Sequence, residues 1–244
     1  MGSFTQISNG RERWGPYTRI ERHRHDRAYA ALVLAGSYEE SGSRGRFRVS
    51  PGDILFHAAF DAHLDHFRSG GAQILNLLVE EFSPGLSIGH ITDPDIVVRA
   101  AERDADEAVA QLRAQLRPIQ RVHYDWQDVL AVDLLEDPCF SLDLWARNHD
   151  LAPATVSRGF RKVFGVTPAE FRLETRTHRA LTMIAANEAP LAGIAAIAGF
   201  ADQAHMSRAI RLLTGATPGY WRRSNRFKTP TVPSRPNHGH ERCY

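Results

Sequence analysis

At 244 residues, 43% of them hydrophobic and with a formal charge of only +2, the chain is long enough for two domains that each bury a core. No stretch approaches the roughly 20 consecutive apolar residues needed to cross a bilayer, and no basic patch runs into an apolar segment near the N-terminus. These absences exclude a membrane partner and make the cytoplasm the expected location. Cys139 and Cys243 are the only cysteines, which excludes a disulfide framework and a cysteine zinc module.

The first 90 residues read as strands. Short alternating or β-rich runs at Ala28–Leu34, Arg46–Val49, Ile54–Phe56 and Gln73–Val79 are separated by turn clusters at Gly36-Ser37, Ser41–Gly45, Pro51-Gly52-Asp53 and Ser69–Gly71. That grammar predicts a small barrel or sandwich. From Asp93 the period changes, with Val97, Ala101, Ala105, Ala108, Leu112, Leu116 and Ile119 stepping by three or four, and Asp93-Pro94 supplying a cap and a first-turn proline. One helix to Gln120 is predicted, whose apolar stripe must pack on the barrel, on the C-terminal half or on the same helix of a second chain.

Breakers divide the remainder into seven predicted helices: Trp126–Leu135, Leu142–His149, Pro153–Phe164, Pro168–Ala186, Leu191–Ala198, Asp202–Leu213 and Pro218–Ser224. The residues after Arg226, rich in Pro, Thr, Ser and His, cannot bury enough apolar surface to offset ordering entropy, so a disordered tail is expected over 229–244.

Within the helical half, one unit occurs twice. Ala146, Ala154, Ser157, Arg158, Arg161, Gly165, Thr167, Pro168 and Arg172 recur fifty positions later as Ala196, Ala204, Ser207, Arg208, Arg211, Gly215, Thr217, Pro218 and Arg222 without a gap. Leu144, Val156, Phe160 and Phe171 are answered by Ile194, Met206, Ile210 and Trp221, which predicts a shared core. The basic charge sits on this repeat. Residues 1–150 carry 16 Lys and Arg against 23 Asp and Glu, whereas residues 151–228 carry 12 against 4. Such segregation points to a phosphate-binding face.

Each copy has a short helix, a turn and a second helix, the parts of a helix-turn-helix. On the second helix of copy one, Val156 and Phe160 face inward while Thr155, Ser157, Arg158 and Arg161 point elsewhere; copy two offers Gln203, His205, Ser207, Arg208 and Arg211. Arginine can take guanine O6 and N7 bidentately in the major groove, and serine or threonine can bond bases or phosphates. The 19-residue helix Pro168–Ala186 is about 28 Å long, close to the roughly 34 Å between successive major grooves on one face of B-DNA.

The run from Leu151-Ala-Pro-Ala-Thr-Val-Ser-Arg through Gly165-Val-Thr-Pro, with Arg176-Thr-His-Arg, Ile194-Ala-Ala-Ile-Ala-Gly-Phe and Thr214-Gly-Ala-Thr-Pro, resembles the AraC/XylS transcription regulators over about residues 128–225. The resemblance implies two helix-turn-helix subdomains joined by a rigid linker helix. Its base-facing positions correspond to Ala154, Thr155, Ser157 and Arg158, and to Gln203, Ala204, His205, Ser207 and Arg208. Met206 and Ile210 depart from the aromatic residues usual there, which bears on core packing.

In the N-terminal half, His23, His25 and Tyr29 share one strand parity, and His57, His63 and His66 follow. The His-x-His, the Pro51-Gly52-Asp53 turn and His63 resemble the two motifs of cupin barrels, in which two histidines, a carboxylate and a later histidine hold a metal; Tyr29 occupies the carboxylate position. Three readings stay open for His23, His25, Tyr29 and His63: a divalent transition-metal site, the polar lining of an effector pocket, or hydrogen-bonded core residues. No cofactor is otherwise expected.

The expected architecture is α+β and multidomain: residues 1–90 a cupin-like β-barrel for sensing, 91–124 a linker and dimerisation helix, 125–228 an all-α AraC-type DNA-binding domain, and 229–244 the tail. The expected function is a homodimeric, sequence-specific transcriptional regulator of promoter DNA, responsive to a small effector and touching RNA polymerase if it activates. No nucleophile–base pair or phosphate-binding loop suggests catalysis. The competing readings are a metal-dependent cupin enzyme fused to a DNA-binding domain and a nucleoid protein with little sequence preference.

Overall fold

The computed structural model describes residues 3–80, 86–119, 122 and 125–224; the expected tail over 229–244 lies outside the described residues. Two compact units form: Met1–Asp128 with Lys162–Gly165, and Val129–Arg161 with Val166–Tyr244.

The first unit is built on one sheet of β1 (Ser3–Phe4), β2 (Gly10–Trp14), β3 (Arg19–Arg24), β4 (Tyr29–Gly42), β5 (Gly45–Val49), β6 (Asp53–His57), β7 (Ala62–Leu78), β8 (Ile88–His90) and β9 (Arg117–Pro118). Its path runs β1-β3-β7-β4-β6-β8-β9, with β2 added to β7 and β5 to β4. The expected cupin-like barrel is not formed, because this sheet does not close. The end strands β1 and β9 are two residues long, β1 pairs with β3 and β9 with β8, and no ladder joins them among the described residues. Pro118 in β9 has no N–H to extend the pairing.

The turn clusters expected at Gly36-Ser37 and Ser69–Gly71 are absorbed into the long strands β4 and β7. The two strands pair antiparallel from Tyr29↔Leu78 to Gly42↔His63, with register shifts between Val33 and Ala35 and between Gly36 and Tyr38. Gly36 (φ 73°) and Gly71 (φ 63°) absorb the irregularity, and a Cβ on Gly36 would run into the Gly71 carbonyl.

The sheet buries both faces. On one, Tyr29, Ala31, Val33, Tyr38, Phe47, Leu55, Phe67 and Ile74 form a cluster. On the other, Ala30, Leu32, Ile54, Phe56, Leu75 and Leu77 pack with Val97, Ala100, Ala108 and Leu112. Those last four come from two helices, α1 (Pro94–Ala101) and α2 (Ala105–Gln115). The single helix expected from Asp93 to Gln120 is thus broken: Asp104 takes extended backbone and its side chain caps α2 by accepting from Asp106 N, after which Arg117 and Pro118 turn to strand. The apolar stripe is spent on the unit's own sheet, which removes the reason for placing a second chain against it.

The second unit is all-α among the described residues. After α3 (Trp126–Glu136), which crosses the boundary between the units, come α4 (Leu142–Asn148), α5 (Pro153–Phe164), whose residues from Lys162 onward are assigned to the first unit, α6 (Pro168–Ala186), α7 (Leu191–Ile197), α8 (Gln203–Thr214) and α9 (Pro218–Ser224). Their ends follow local chemistry. Ser141 caps α4, Asp202 caps α8, and Thr167 and Glu170 make a capping box on α6. Gly215 in the left-handed region stops α8.

Candidate nucleic-acid interface and buried histidine cluster

The two helix pairs of the second unit share one plan. Val156 and Phe160 of α5 and Met206 and Ile210 of α8 are 0–4% exposed and supply the inward stripe. Phe160 meets Phe171 of α6 edge to face, with ring centroids 5.3 Å apart. The repeat is not gap-free throughout, however. From α5 and α8 onward the copies stand fifty positions apart, but α4 and α7 begin at Leu142 and Leu191, forty-nine apart. The turns agree with the smaller spacing, since Asp150 and Gly199 hold the positive φ, and Leu151 N donates to Ala146 O as Phe200 N does to Ala195 O. Trp145 and Ala146 therefore match Ile194 and Ala195 in the core, and Leu144, expected inside, is 56% exposed. The extra residue of copy two lies in Ala201-Asp202 and brings the cap: Asp202 accepts from His205 N at 2.7 Å, where Ala152 offers copy one no side-chain acceptor.

On the outward faces, Ala154, Thr155, Arg158 and Arg161 are exposed, as are Gln203, Ala204, Arg208 and Arg211. Ser157, Ser207 and His205 are half-buried. The Ser207 hydroxyl donates to Gln203 O at 2.8 Å, and the His205 ring meets Phe200 edge-on at 5.2 Å, so both are partly engaged by their own unit. The cations sort into two groups. Arg172, Arg176, Arg179 and Arg222 donate to the backbone oxygens of Phe140, Pro138, Glu136 and Ala189. Arg158, Arg161, Arg208 and Arg211 make no hydrogen bond or ion pair among the described residues.

In the first unit, cross-strand register gathers a polar cluster. His23 lies opposite His63, Tyr29 opposite His57, and Glu40 opposite Asp65. Ring centroids of His23 stand 4.9 Å from His25 and 4.3 Å from His63, and Tyr29 stacks on His57 at 4.3 Å. The Tyr29 hydroxyl is 3.1 Å from His63 Nε2. The four residues expected together, His23, His25, Tyr29 and His63, line one cavity with Trp14, Tyr38 and Phe67. Glu40, His57 and Asp65 line it too and were not anticipated. Glu40 escapes the strand-parity argument because the irregularities in β4 move the inward residues from odd numbers (Tyr29, Ala31, Val33) to even ones (Tyr38, Glu40). His66, by contrast, accepts from Arg19 Nε at 3.1 Å in an exposed setting.

Burial dominates the electrostatics of this cluster. It depresses His23, holds His57 well below the usual imidazole range, and takes His25 down to about 4, the charge of His63 adding to each. Burial likewise pushes the Glu40 carboxyl up to about 8, against the pull of His63. For His63 burial opposes the cation, but the facing Asp65 and Glu40 carboxylates prevail and push it up to about 9. His23 and His25 bring Nδ1 to backbone oxygens, of Glu21 at 3.0 Å and Thr5 at 2.6 Å. Two sets of donor atoms lie within ligand-sharing distance, His23–His25–His63 and Glu40–His57–His63.

The family model described as a helix-turn-helix domain matches residues 145–224. The arabinose operon regulatory proteins of Salmonella typhimurium (strain LT2) and Escherichia coli (strain K12) are each 30% identical to this chain over 90 residues, 37% of its length. That stretch is 32% and 31% of those proteins, so the chain spans about a third of the length of the curated relatives it matches. Among solved structures, ToxT from Vibrio cholerae aligns with 88% of this chain and 97% of its own, at 9% identity and a TM-score of 0.42. An AraC-type regulator from Chromobacterium violaceum aligns with 41% of this chain and 91% of its own, at 25% identity and a TM-score of 0.37. Family match and duplicated helix pair fall on the same span: residues 145–224 match a helix-turn-helix domain and are similar to part of the arabinose operon regulatory proteins.

Proposed function

We propose that this chain is a sequence-specific DNA-binding transcriptional regulator whose reading surface is the outward faces of α5 and α8. The sorting of cations carries the reading. The arginines of α5 and α8 are exposed and make no hydrogen bond or ion pair among the described residues, whereas those of α6 and α9 named above are bonded to backbone. A surface of that kind releases counterions from duplex DNA, and its Arg, Thr and Gln side chains suit base edges and phosphates. The curated relatives named as arabinose operon regulators support promoter DNA as the target. The unlike faces, Thr155 and Arg158 against Gln203 and Arg208, favour sequence preference over nucleoid-style coating. In vitro selection of duplex sites by the full chain, followed by titration at several salt concentrations, tests this. One preferred sequence with log affinity falling linearly in log salt is expected; binding indifferent to sequence or to salt overturns it.

The finer reading gives the first unit a sensing role, with the cavity bordered by His23, His25, Tyr29 and His63 taking a small polar effector. Its support is a void of about 110 Å³ lined by aromatic side chains, imidazoles and carboxylates. Ligand screening by thermal shift on the full chain, repeated with Tyr29→Phe, tests it. A hit that changes DNA affinity and weakens in the variant is expected; hits unaffected by Tyr29→Phe place the effector elsewhere.

A further inference from the structure

Glu40, His57 and His63 play no part in DNA reading, yet they are buried together on the inner side of the sheet, each supplying one donor atom within 4.8 Å of the other two. Glu40 Oε2 stands 3.6 Å from His57 Nε2 and 3.5 Å from His63 Nδ1. These separations are long for an N···O hydrogen bond, which prefers about 2.9–3.0 Å. They are close to the roughly 3.4 Å edge between two ligands held at about 2.0–2.1 Å around a tetrahedral ion.

A second observation is independent of that spacing. His57 is 3% exposed, and its Nε2 forms no hydrogen bond among the described residues. A buried ring nitrogen is normally paired, and an ion at this point would pair it. Charge chooses between the two candidate sets. An ion among Glu40, His57 and His63 would meet the Glu40 carboxylate directly and lie beside Asp65, the cross-strand partner of Glu40. Two carboxylates balance a buried dication, whereas His23, His25 and His63 would hold it without an anionic ligand.

We propose that Glu40, His57 and His63 bind a divalent transition-metal ion of the zinc class, with its fourth position open to the cavity these residues line. One carboxylate and two imidazoles are a ligand set such ions accept. In this arrangement His23 and His25, whose rings lie 4.3 and 5.6 Å from that of His63, line the same cavity as hydrogen-bonding groups for whatever occupies the fourth position.

The test uses the full chain, expressed without a histidine tag and stripped with a chelator. His238→Ala and His240→Ala are present in every sample, because that pair is itself a His-x-His sequence. Equilibrium dialysis against Zn²⁺ alone should leave one ion per chain, and Co²⁺ alone should give the visible bands of a four-coordinate cobalt site with nitrogen ligands. Glu40→Gln and His57→Phe should each weaken Zn²⁺ by more than about 100-fold, the upper end of what loss of a mere supporting partner costs, while His25→Ala should keep the stoichiometry. No ion in the parent chain, or loss of it in His25→Ala with retention in Glu40→Gln and His57→Phe, would overturn the assignment. Should the variants unfold, the cobalt spectrum of the parent chain decides: six-coordinate bands, or none, count against the site.

Discussion

Arg222 reaches back 33 residues to donate from Nη2 to the Ala189 carbonyl oxygen at 2.7 Å, and Arg172 makes the same bond to Phe140 over 32 residues at the same length. Fifty positions separate the two arginines but forty-nine separate the two carbonyls, so the bond survives the one-residue difference between the copies. Each ties the helix after a helix-turn-helix pair to the segment entering it.

Arg172→Ala and Arg222→Ala should therefore destabilise the helical unit, each by about 1.5–3 kcal/mol, the usual worth of a hydrogen bond from a charged group. Denaturant unfolding measures this. The slope of DNA affinity against salt should hold steady; a slope reduced by about one would reassign that arginine to a phosphate.

Arg158→Ala and Arg208→Ala should do the reverse. Both side chains are exposed, so unfolding should change by less than about 0.5 kcal/mol. Binding to the selected site should weaken by about 1–3 kcal/mol, at different base positions for each. Equal losses on selected and random duplexes would make them phosphate clamps and move base reading to Thr155 and Gln203.

Gly36→Ala should be far costlier than an ordinary surface change. The residue has φ 73°, and a Cβ there would overlap the Gly71 carbonyl oxygen. A loss above about 2 kcal/mol is expected in thermal unfolding. Gly70→Ala, with nothing within 4 Å of its added Cβ, is the matched control.

Thr167→Ala should remove the α6 capping box and cost about 1 kcal/mol. The Glu170 carboxylate accepts from Thr167 N at 2.7 Å and from the Thr167 hydroxyl, which the substitution removes, at 2.9 Å, and the two bonds hold its pKa below the usual range. A depressed folded-state value means that its share of the stability is present at neutral pH and fades as pH falls through the carboxylate range. The gap between variant and parent should accordingly narrow in acid; a gap that widens there would refute the capping account.

The helical unit was legible because its boundaries are written locally. Pro153, Pro168 and Pro218 start helices, and Pro168–Ala186 ends where expected. The one-residue difference is hidden in the sequence because Ala146 and Ala196 are identical; burial and the turn bonds show that Ala195, not Ala196, fills the place of Ala146. In the sheet unit the strands were legible, but closure and face were not. Closure depends on whether β1 and β9 find each other, a long-range matter, and the face of Glu40 depends on irregularities that no local pattern announces. The grouping of His23 with His63 is legible through the resemblance to the cupin motifs, while Glu40 and Asp65 meet only through the full β4–β7 register.

The spare residue between Phe200 and Gln203 also sets the rules for splicing the two halves. An exchange that grafts residues 191–200 onto positions 142–151 joins like with like, and a ruler-straight swap of 192–201 for 142–151 does not. The latter would set Ala195 where Trp145 packs and Ala196 where Ala146 packs, and would bring Gly199 to the place of His149 in front of the bend that Asp150 makes. Duplicated domains of this kind are interchangeable modules only when cut by burial, since a cut made by counting carries the wrong face inward.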